Sequence, residues 1–475
     1  MRLRSLAVFL LLALVSLPLT AQPSAVGEWG AKFAWPVVAI HAHVLPDGEV
    51  LTWERKDTVL TTESWLWNPK TGHFSKVENP YASVFCSGHS FLPDGTLLVT
   101  GGHHYRDGDG EKTATLFHTV TKQWTKGPNM NGGRWYPTNL TLRNGDVVTM
   151  SGSQNGSDAI IPNPLPQVWQ TATSTWRDLT GAIRTLDLYP QVLLAPDGRA
   201  FVVGPQPQTL YLETAGTGSW KDGLQTSGVY RDYGSAVEYE PGKVLIVGGG
   251  PPVNTAEIID LNAGSPKWTM TEPMKFSRRQ LNATILPDGK VLVTGGSSAP
   301  GFNNAEGSVF AAEMWDPATG KWTTMASMKV RRLYHSTAVL LPDGRVLSAG
   351  GGMPASPEGG DTDHRDAEIY SPPYLFNGPR PAITAAPDRV GFGEEFRVET
   401  PEGANIEQVT WIRLSSVTHA FYQSQRFNRL HIVSKDAGHV VVTAPSNAEC
   451  PPGPYLLFVL NGRGVPSVGK VVFIR

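Results

Sequence analysis

At 475 residues, with 50 Gly, 38 Pro and 14 Trp, the chain is long enough for two or three domains and suits many short strands joined by tight turns better than helices. Its 40 Lys and Arg against 42 Asp and Glu give a formal net charge of -2, and the cations form no basic run, which argues against a nucleic-acid partner. Only Cys86 and Cys450 are present, so a disulfide framework is excluded, although a single bridge between them stays open.

Residues 1–21 read as an export signal. Arg2 and Arg4 form a basic start, Leu6 to Leu19 is apolar, and Leu19-Thr20-Ala21 precedes Gln22. The run is short for a membrane span and Pro18 interrupts it, so a retained anchor is the lesser alternative. No Cys sits at the cleavage site, and no later segment is apolar enough to cross a bilayer. A secreted or periplasmic protein, with no membrane association once the signal is removed, is the expectation.

From residue 22 a single phrase recurs: an apolar pair, a Pro-Asp-Gly-like turn, then an apolar strand that often ends in Gly-Gly. Its turn glycines are Gly48, Gly95, Gly145, Gly198, Gly242, Gly289 and Gly344, spaced 44 to 55 residues apart. Asp-Gly and Asn-Gly supply the chemistry of a tight β-hairpin, and a period of about 50 residues is that of kelch-type propeller blades. The Gly-Gly pairs at 101–102, 248–249, 295–296 and 350–351 are expected where backbones crowd near the central axis. Trp124, Trp176, Trp220, Trp268 and Trp322 follow the outer turns and are expected to pack between blades. The last blade lacks a fourth strand, and Gly27 to Trp35 can supply it, closing the ring and removing open sheet edges.

After Tyr370 the repeat stops, and Gly378-Pro379-Arg380-Pro381 marks a boundary. The remaining segments, Glu395 to Thr400, Val409 to Leu414 and Tyr455 to Leu460, alternate with turns. The fold expected is therefore all-β: a seven-bladed propeller over 22–377 followed by an immunoglobulin-like β-sandwich over 378–475.

A propeller does not disclose its function, which has to be read from its site. Residues just before each inner strand converge on one mouth of the channel, and these are Cys86, Tyr136, Tyr189, Tyr233, Gln280 and Tyr334-His335. In the second domain, Ser416-Val417-Thr418-His419 follows the strand ending at Leu414, on a turn able to reach that mouth. Taken singly, an inner-strand Tyr is ordinarily a packed residue with a satisfied hydroxyl, which is the reading given to Tyr189 and Tyr233, both also placed to line a substrate pocket. A buried Cys is ordinarily a small hydrophobe, the reading given to Cys450. His89, His103, His104 and His364 read as surface or channel residues.

Phe85-Cys86, Arg134-Trp135-Tyr136, Tyr334-His335-Ser336 and Ser416-Val417-Thr418-His419, in that order on a seven-fold repeat, resemble the galactose oxidase and glyoxal oxidase group of copper radical oxidases. The resemblance spans essentially the whole mature chain and includes the ending Pro452 to Val459 with Gly464-Val465-Pro466-Ser467. It implies one copper ion bound by Tyr136, Tyr334, His335 and His419. It also implies a thioether between Cys86 and Tyr136 that forms a tyrosyl radical cofactor, with Tyr334 as axial ligand and base. The implied reaction oxidises a small aldehyde, primary alcohol or sugar and reduces O2 to hydrogen peroxide, in a protein expected to be a monomer.

One departure stands out. Galactose oxidase stacks a tryptophan on its modified tyrosine from a loop whose counterpart here, Ser151 to Ser157, contains no aromatic residue. Trp135 adjoins Tyr136, but strand neighbours are expected to point to opposite faces. That gap, and the missing N-terminal carbohydrate-binding domain, lean toward glyoxal oxidase-like substrates. A non-catalytic propeller that binds glycan or cell-wall components is the rival from another class. A propeller hydrolase ranks last, because the strand starts carry tyrosines and not paired carboxylates.

Overall fold

The computed structural model describes residues 22–56, 60–154, 160–353, 362–414 and 416–475, so the export signal lies outside the described residues. Seven sheets of antiparallel strands follow one another in chain order and form the seven blades. Blade 1 is His41–Val44, Val50–Trp53, Thr62–Trp67 and Phe74–Asn79, and blade 3 is Trp135–Thr141, Val147–Ser153, Gln167–Gln170 and Thr175–Asp178. The inner hairpins are buried along nearly their whole length, and the second strand of several reads as an apolar run, as in Leu97–Thr100 and Val291–Ser297.

The repeated turn explains why each hairpin forms where it does. All seven turn glycines adopt φ between 72° and 93°, a left-handed conformation that costs glycine nothing. The aspartate one residue earlier then caps the turn, as where Glu49 N donates to Asp47 Oδ1 at 3.1 Å and Arg345 N to Asp343 Oδ1 at 3.0 Å.

Blade 7 consists of Ser336–Leu340, Val346–Gly350 and Asp366–Ser371, and its outer edge is covered by the N-terminal segments Glu28–Trp29 and Phe33–Ala34. Pairing the two ends of the propeller in one blade closes the ring. Trp29 Nε1 also donates to Ala326 O at 2.9 Å, tying that segment to blade 6. Two of the outer tryptophans bridge backward as expected: Trp124 Nε1 donates to Ser64 Oγ at 3.2 Å, and Trp176 Nε1 to Pro128 O at 2.9 Å.

The Gly-Gly pairs are close approaches, and the leading glycine of each crowds against the start of the next blade. A Cβ on Gly101 would lie 2.2 Å from Arg134 O, one on Gly295 would lie 2.3 Å from Arg332 O, and one on Gly350 would lie 2.6 Å from Ala39 O. The reason is a buried arginine at the start of a blade whose guanidinium turns back to that blade's own corner. Arg231 Nη1 donates to Gly248 O at 2.8 Å, Arg278 Nη1 to Gly295 O at 2.9 Å and Arg332 Nη1 to Gly350 O at 2.7 Å. Carboxylates on the third strands neutralise them, with Arg231–Glu257 and Arg278–Glu313 each at 2.7 Å and almost fully desolvated. Such pairs fix geometry more than they add stability, since desolvation offsets most of the attraction.

The C-terminal domain is a β-sandwich with its own core around Trp411, Tyr455 and Val459. The strand Phe427–Lys435 pairs with Ile406–Arg413 at its start and with His439–Thr443 at its end, joining the two layers. Cys450 is buried in this core, and no disulfide joins it to Cys86. Between Ile406–Arg413 and Phe427–Lys435 the chain leaves the sandwich and enters the propeller channel. Gln423 Oε1 accepts from His89 N at 3.0 Å and Asn139 N at 3.2 Å, and Gln425 Oε1 accepts from Ile285 N at 2.7 Å. Inner-strand amides that face the axis are thereby satisfied without water. The buried Arg426–Glu238 ion pair fastens the insert to blade 5.

Candidate active site

The six strand-start positions expected at the channel mouth share an unusual backbone. Cys86, Tyr136, Tyr189, Tyr233, Gln280 and His335 adopt φ of 61°, 67°, 45°, 51°, 62° and 66°. Left-handed conformations cost non-glycine residues about 1 kcal/mol or more each, and such strain gathers at functional sites. Here it is held by a ladder across blades: Tyr136 N donates to Cys86 O at 2.9 Å, Tyr189 N to Tyr136 O at 2.8 Å, and Gln280 N to Tyr233 O at 2.8 Å.

This backbone overturns the expectation that Trp135 faces away from Tyr136. The two rings stack, with centroids 3.9 Å apart and planes at 21°. A left-handed residue interrupts the two-residue alternation of a strand, so neighbouring side chains fall on the same side. The same break stacks Tyr334 on His335, at 3.7 Å and 27°. Tyr189 lies against Tyr136 at 4.4 Å and 28°, so Tyr136 has aromatic neighbours in both Trp135 and Tyr189.

His419 arrives from the other domain. Its segment is more than a turn: Ser416–Thr418 and Phe421–Tyr422 form a hairpin that pairs with His41–Val44 and extends blade 1 inward. At the tip, His419 and Ala420 take φ of 49° and 69°. The His419 ring then lies 4.6 Å from Tyr136, 4.9 Å from His335 and 5.4 Å from Tyr334, centroid to centroid. The Tyr136 and Tyr334 hydroxyls touch each other, and Cys86 Sγ is 3.6 Å from His419 Nε2. All five residues expected from the sequence are buried within this one cluster.

Hydrogen bonds fix the imidazoles for ligation. Burial holds His335 down to about 3 and His419 well below the usual histidine value, so both are neutral at physiological pH. Neutral His335 donates from Nδ1 to Gly352 O at 3.1 Å, which leaves Nε2 with a lone pair and no partner although it is buried. His419 Nδ1 is engaged by Thr418 Oγ1 at 2.6 Å, which leaves its Nε2 facing the cluster, 3.6 Å from Cys86 Sγ. Burial pushes the Tyr136 and Tyr334 hydroxyls well above the usual phenol range, so ionising them needs a cation nearby. Among the described residues no three of His, Cys, Asp and Glu gather around a metal-sized point, so a metal here draws on tyrosine oxygen. Two imidazole nitrogens and two phenol oxygens around an orphaned Nε2 fit copper, for which imidazole is a favoured ligand.

A cavity of about 430 Å3 opens onto the phenols, walled by Phe85, Trp135, Tyr189, Tyr233 and Phe302 with Asp187 and Asp232 among its polar lining. Tyr189 and Tyr233 are therefore lining residues, and Tyr189 Oη donates to Ser87 O at 2.9 Å. A larger cavity, about 640 Å3, lies between the turns of blades 1 and 7 and the sandwich, with none of the five residues in its lining. Three features escaped the sequence: the Trp135 stack, the buried arginines at the blade starts, and His41, which sits beneath Cys86. The His41-Ala42-His43 alternation just ahead of the first turn was the available signal for the last.

Comparison with known proteins accounts for this arrangement. The glyoxal oxidase N-terminus family matches residues 53–236 and 250–374, and the galactose oxidase-like early set domain matches 380–474. The chain is 31% identical to galactose oxidase of Gibberella zeae, over 95% of this chain and 71% of that one. It is also 31% identical to aldehyde oxidase GLOX of Vitis pseudoreticulata, over 82% and 81% of the two chains. A solved structure described as a novel fungal alcohol oxidase of the AA5 family in complex with copper superposes with a TM-score of 0.86 at 27% identity, covering 94% of this chain and 99% of that one. The chain belongs to the galactose oxidase and glyoxal oxidase family of copper radical oxidases and is a copper-dependent oxidase of that type.

Proposed function

We propose that this oxidase converts a primary alcohol or small aldehyde, the latter as its hydrate, to the next oxidation level and passes two electrons and two protons to O2 as hydrogen peroxide. The observation that carries the reading is the convergence of Tyr136, Tyr334, His335 and His419 around an imidazole nitrogen that is buried and unpartnered. Those four residues would hold the metal. Bound there, copper would supply one-electron chemistry with O2 and the positive charge that lets buried phenols ionise.

The chain's own groups divide the remaining work. Cys86 and Tyr136 belong to one buried cluster, and their joining would break a thiol S–H and a ring C–H to form one C–S bond. O2 would accept the two hydrogens as hydrogen peroxide. The sulfur substituent makes the phenol ring easier to oxidise, and Trp135 and Tyr189 shield that ring from water. Tyr136 would take the hydrogen atom from the substrate carbon, and Tyr334 would take the hydroxyl proton. The aromatic wall suits a compact substrate entering hydroxyl first, and Arg55, Asp187, Gln191 and Asp232 in the same lining offer polar anchors for its far end. The N-terminal segment supports export to an oxidising compartment, where O2 and peroxide are both tolerated.

The test is peroxide release by copper-loaded protein across primary alcohols, small aldehydes and sugars. Turnover of at least one small alcohol or aldehyde, with one product molecule formed per peroxide, is expected. Copper uptake without peroxide from any member of the panel contradicts the proposal.

A further inference from the structure

Below the site, on the channel side away from the cavity, lies a group of buried histidines that the chemistry above does not use. His41, His43 and His89 are fully enclosed, and burial drives all three well below the ordinary histidine value, so each is neutral. Their hydrogen bonds form one chain, with a fixed direction from Cys86 as far as Ser416. The Cys86 amide donates to His41 Nε2 at 3.0 Å. A neutral His41 must then carry its proton on Nδ1, which faces His89 Nε2 at 3.1 Å. His89 in turn carries its proton on Nδ1, 2.6 Å from Ser416 Oγ, and Ser416 Oγ lies 3.1 Å from His43 Nδ1. Trp53 stacks on both His41 and His43, with centroids 4.8 and 4.7 Å away, and leaves neither ring room to turn.

The segment at the head of this chain is clamped to an unusual degree. Trp53 Nε1 donates to Val84 O at 2.9 Å, Val84 N donates to Thr62 Oγ1 at 2.8 Å, and Cys86 O accepts from Tyr136 N at 2.9 Å. Cys86 itself is left-handed, a conformation that no property of cysteine favours.

We infer that His41, oriented through His89 and Ser416, is the positioning residue that holds the Cys86 backbone left-handed and so aims its thiol at the Tyr136 ring for the cross-link. This rests on the proposed function. In the step concerned, Cys86 S–H and a Tyr136 ring C–H break, one C–S bond forms, and O2 leaves as hydrogen peroxide with the two electrons and two protons. Ser416 belongs to the hairpin that carries His419, so the same chain couples seating of that hairpin to maturation of the thioether.

The experiment follows intact mass with time after copper is added to full-length protein prepared without it, alongside copper stoichiometry. Wild type is expected to bind one copper and lose about two mass units as the thioether forms. His41→Phe keeps the ring stack on Trp53 but removes the acceptor, and is expected to bind copper and cross-link about tenfold more slowly or worse, the usual scale for a lost supporting hydrogen bond at a metal site. His41→Gln restores an acceptor and is expected to recover most of the rate. Ser416→Ala deletes one oxygen with little change in packing, frees the His89 tautomer and is expected to slow the step by a smaller factor, so the inference stays testable if His41→Phe does not fold. Wild-type rates in both His41→Phe and Ser416→Ala overturn the inference alone, and so does a His41→Gln rate as low as that of His41→Phe. A wild-type protein that takes up copper and never loses the mass overturns the proposed function, and the inference with it.

Discussion

Tyr136 carries more of the proposed chemistry than any other residue, and its surroundings follow from one backbone angle. At φ of 67° the strand alternation fails, Trp135 folds over one face of the ring, and Tyr189 occupies a second contact. A pair of stacked aromatics is worth about 0.5–1.5 kcal/mol beyond area burial. Trp135→Ala is therefore expected to leave copper binding intact and to shorten the lifetime of the oxidised protein by about two- to tenfold, read from the decay of its visible absorption. An unchanged lifetime would remove Trp135 from the account. Sequence reasoning failed here for a physical reason. Nothing in Trp-Tyr-Pro announces a left-handed residue, because tyrosine has no preference for that conformation. Tyr136 adopts it because the bond it donates to Cys86 O and the bond it accepts from Tyr189 N over-determine the backbone.

Among the elements, the blades were legible because each is punctuated by a turn whose chemistry is local. Asp47-Gly48 or Asp343-Gly344 needs no tertiary partner to prefer a hairpin. The Gly-Gly corners were recognised as close approaches, but not which backbone approaches, since that depends on the buried arginine of the following blade. Gly295 is one such case, with φ of 67° and a would-be Cβ 2.3 Å from Arg332 O, on backbone that cannot swing aside. Gly295→Ala is expected to cost about 2 kcal/mol or more, visible as a lower denaturation midpoint, and to impair copper binding by displacing the segment that leads to Tyr334 and His335. The hairpin bearing His419 was foreseen only as a turn. Its two strands are three and two residues long, too short for any periodic signal, and they exist because the inner strand of blade 1 offers them an edge.

For the whole molecule, the proposed site is assembled from two domains. The sandwich sends Ser416 to Gln425 into the channel, where that segment supplies His419 and satisfies inner-strand amides. Neutral histidines in the same channel make the assembled state sensitive to acid. His89 is held at about 3 by burial, below its unfolded value of 6.5, so the unfolded chain binds the extra proton. Its contribution is complete above the unfolded value and is lost as pH falls from there toward about 3, at close to 1.4 kcal/mol per pH unit over the middle of that window. Chemical unfolding measured across that window is expected to show stability falling with acid, and His89→Gln is expected to lower the slope by about one proton. An unaltered slope would mean that His89 is already protonated in the fold. The central claim is that Tyr136 is the redox-active residue of a copper oxidase site, and the most direct measurement is peroxide release by copper-loaded wild type and Tyr136→Phe side by side. Wild type is expected to release peroxide with a small alcohol or aldehyde, and Tyr136→Phe, still folded, to fall by about 10³-fold or more. Equal peroxide release from the two proteins would contradict the account.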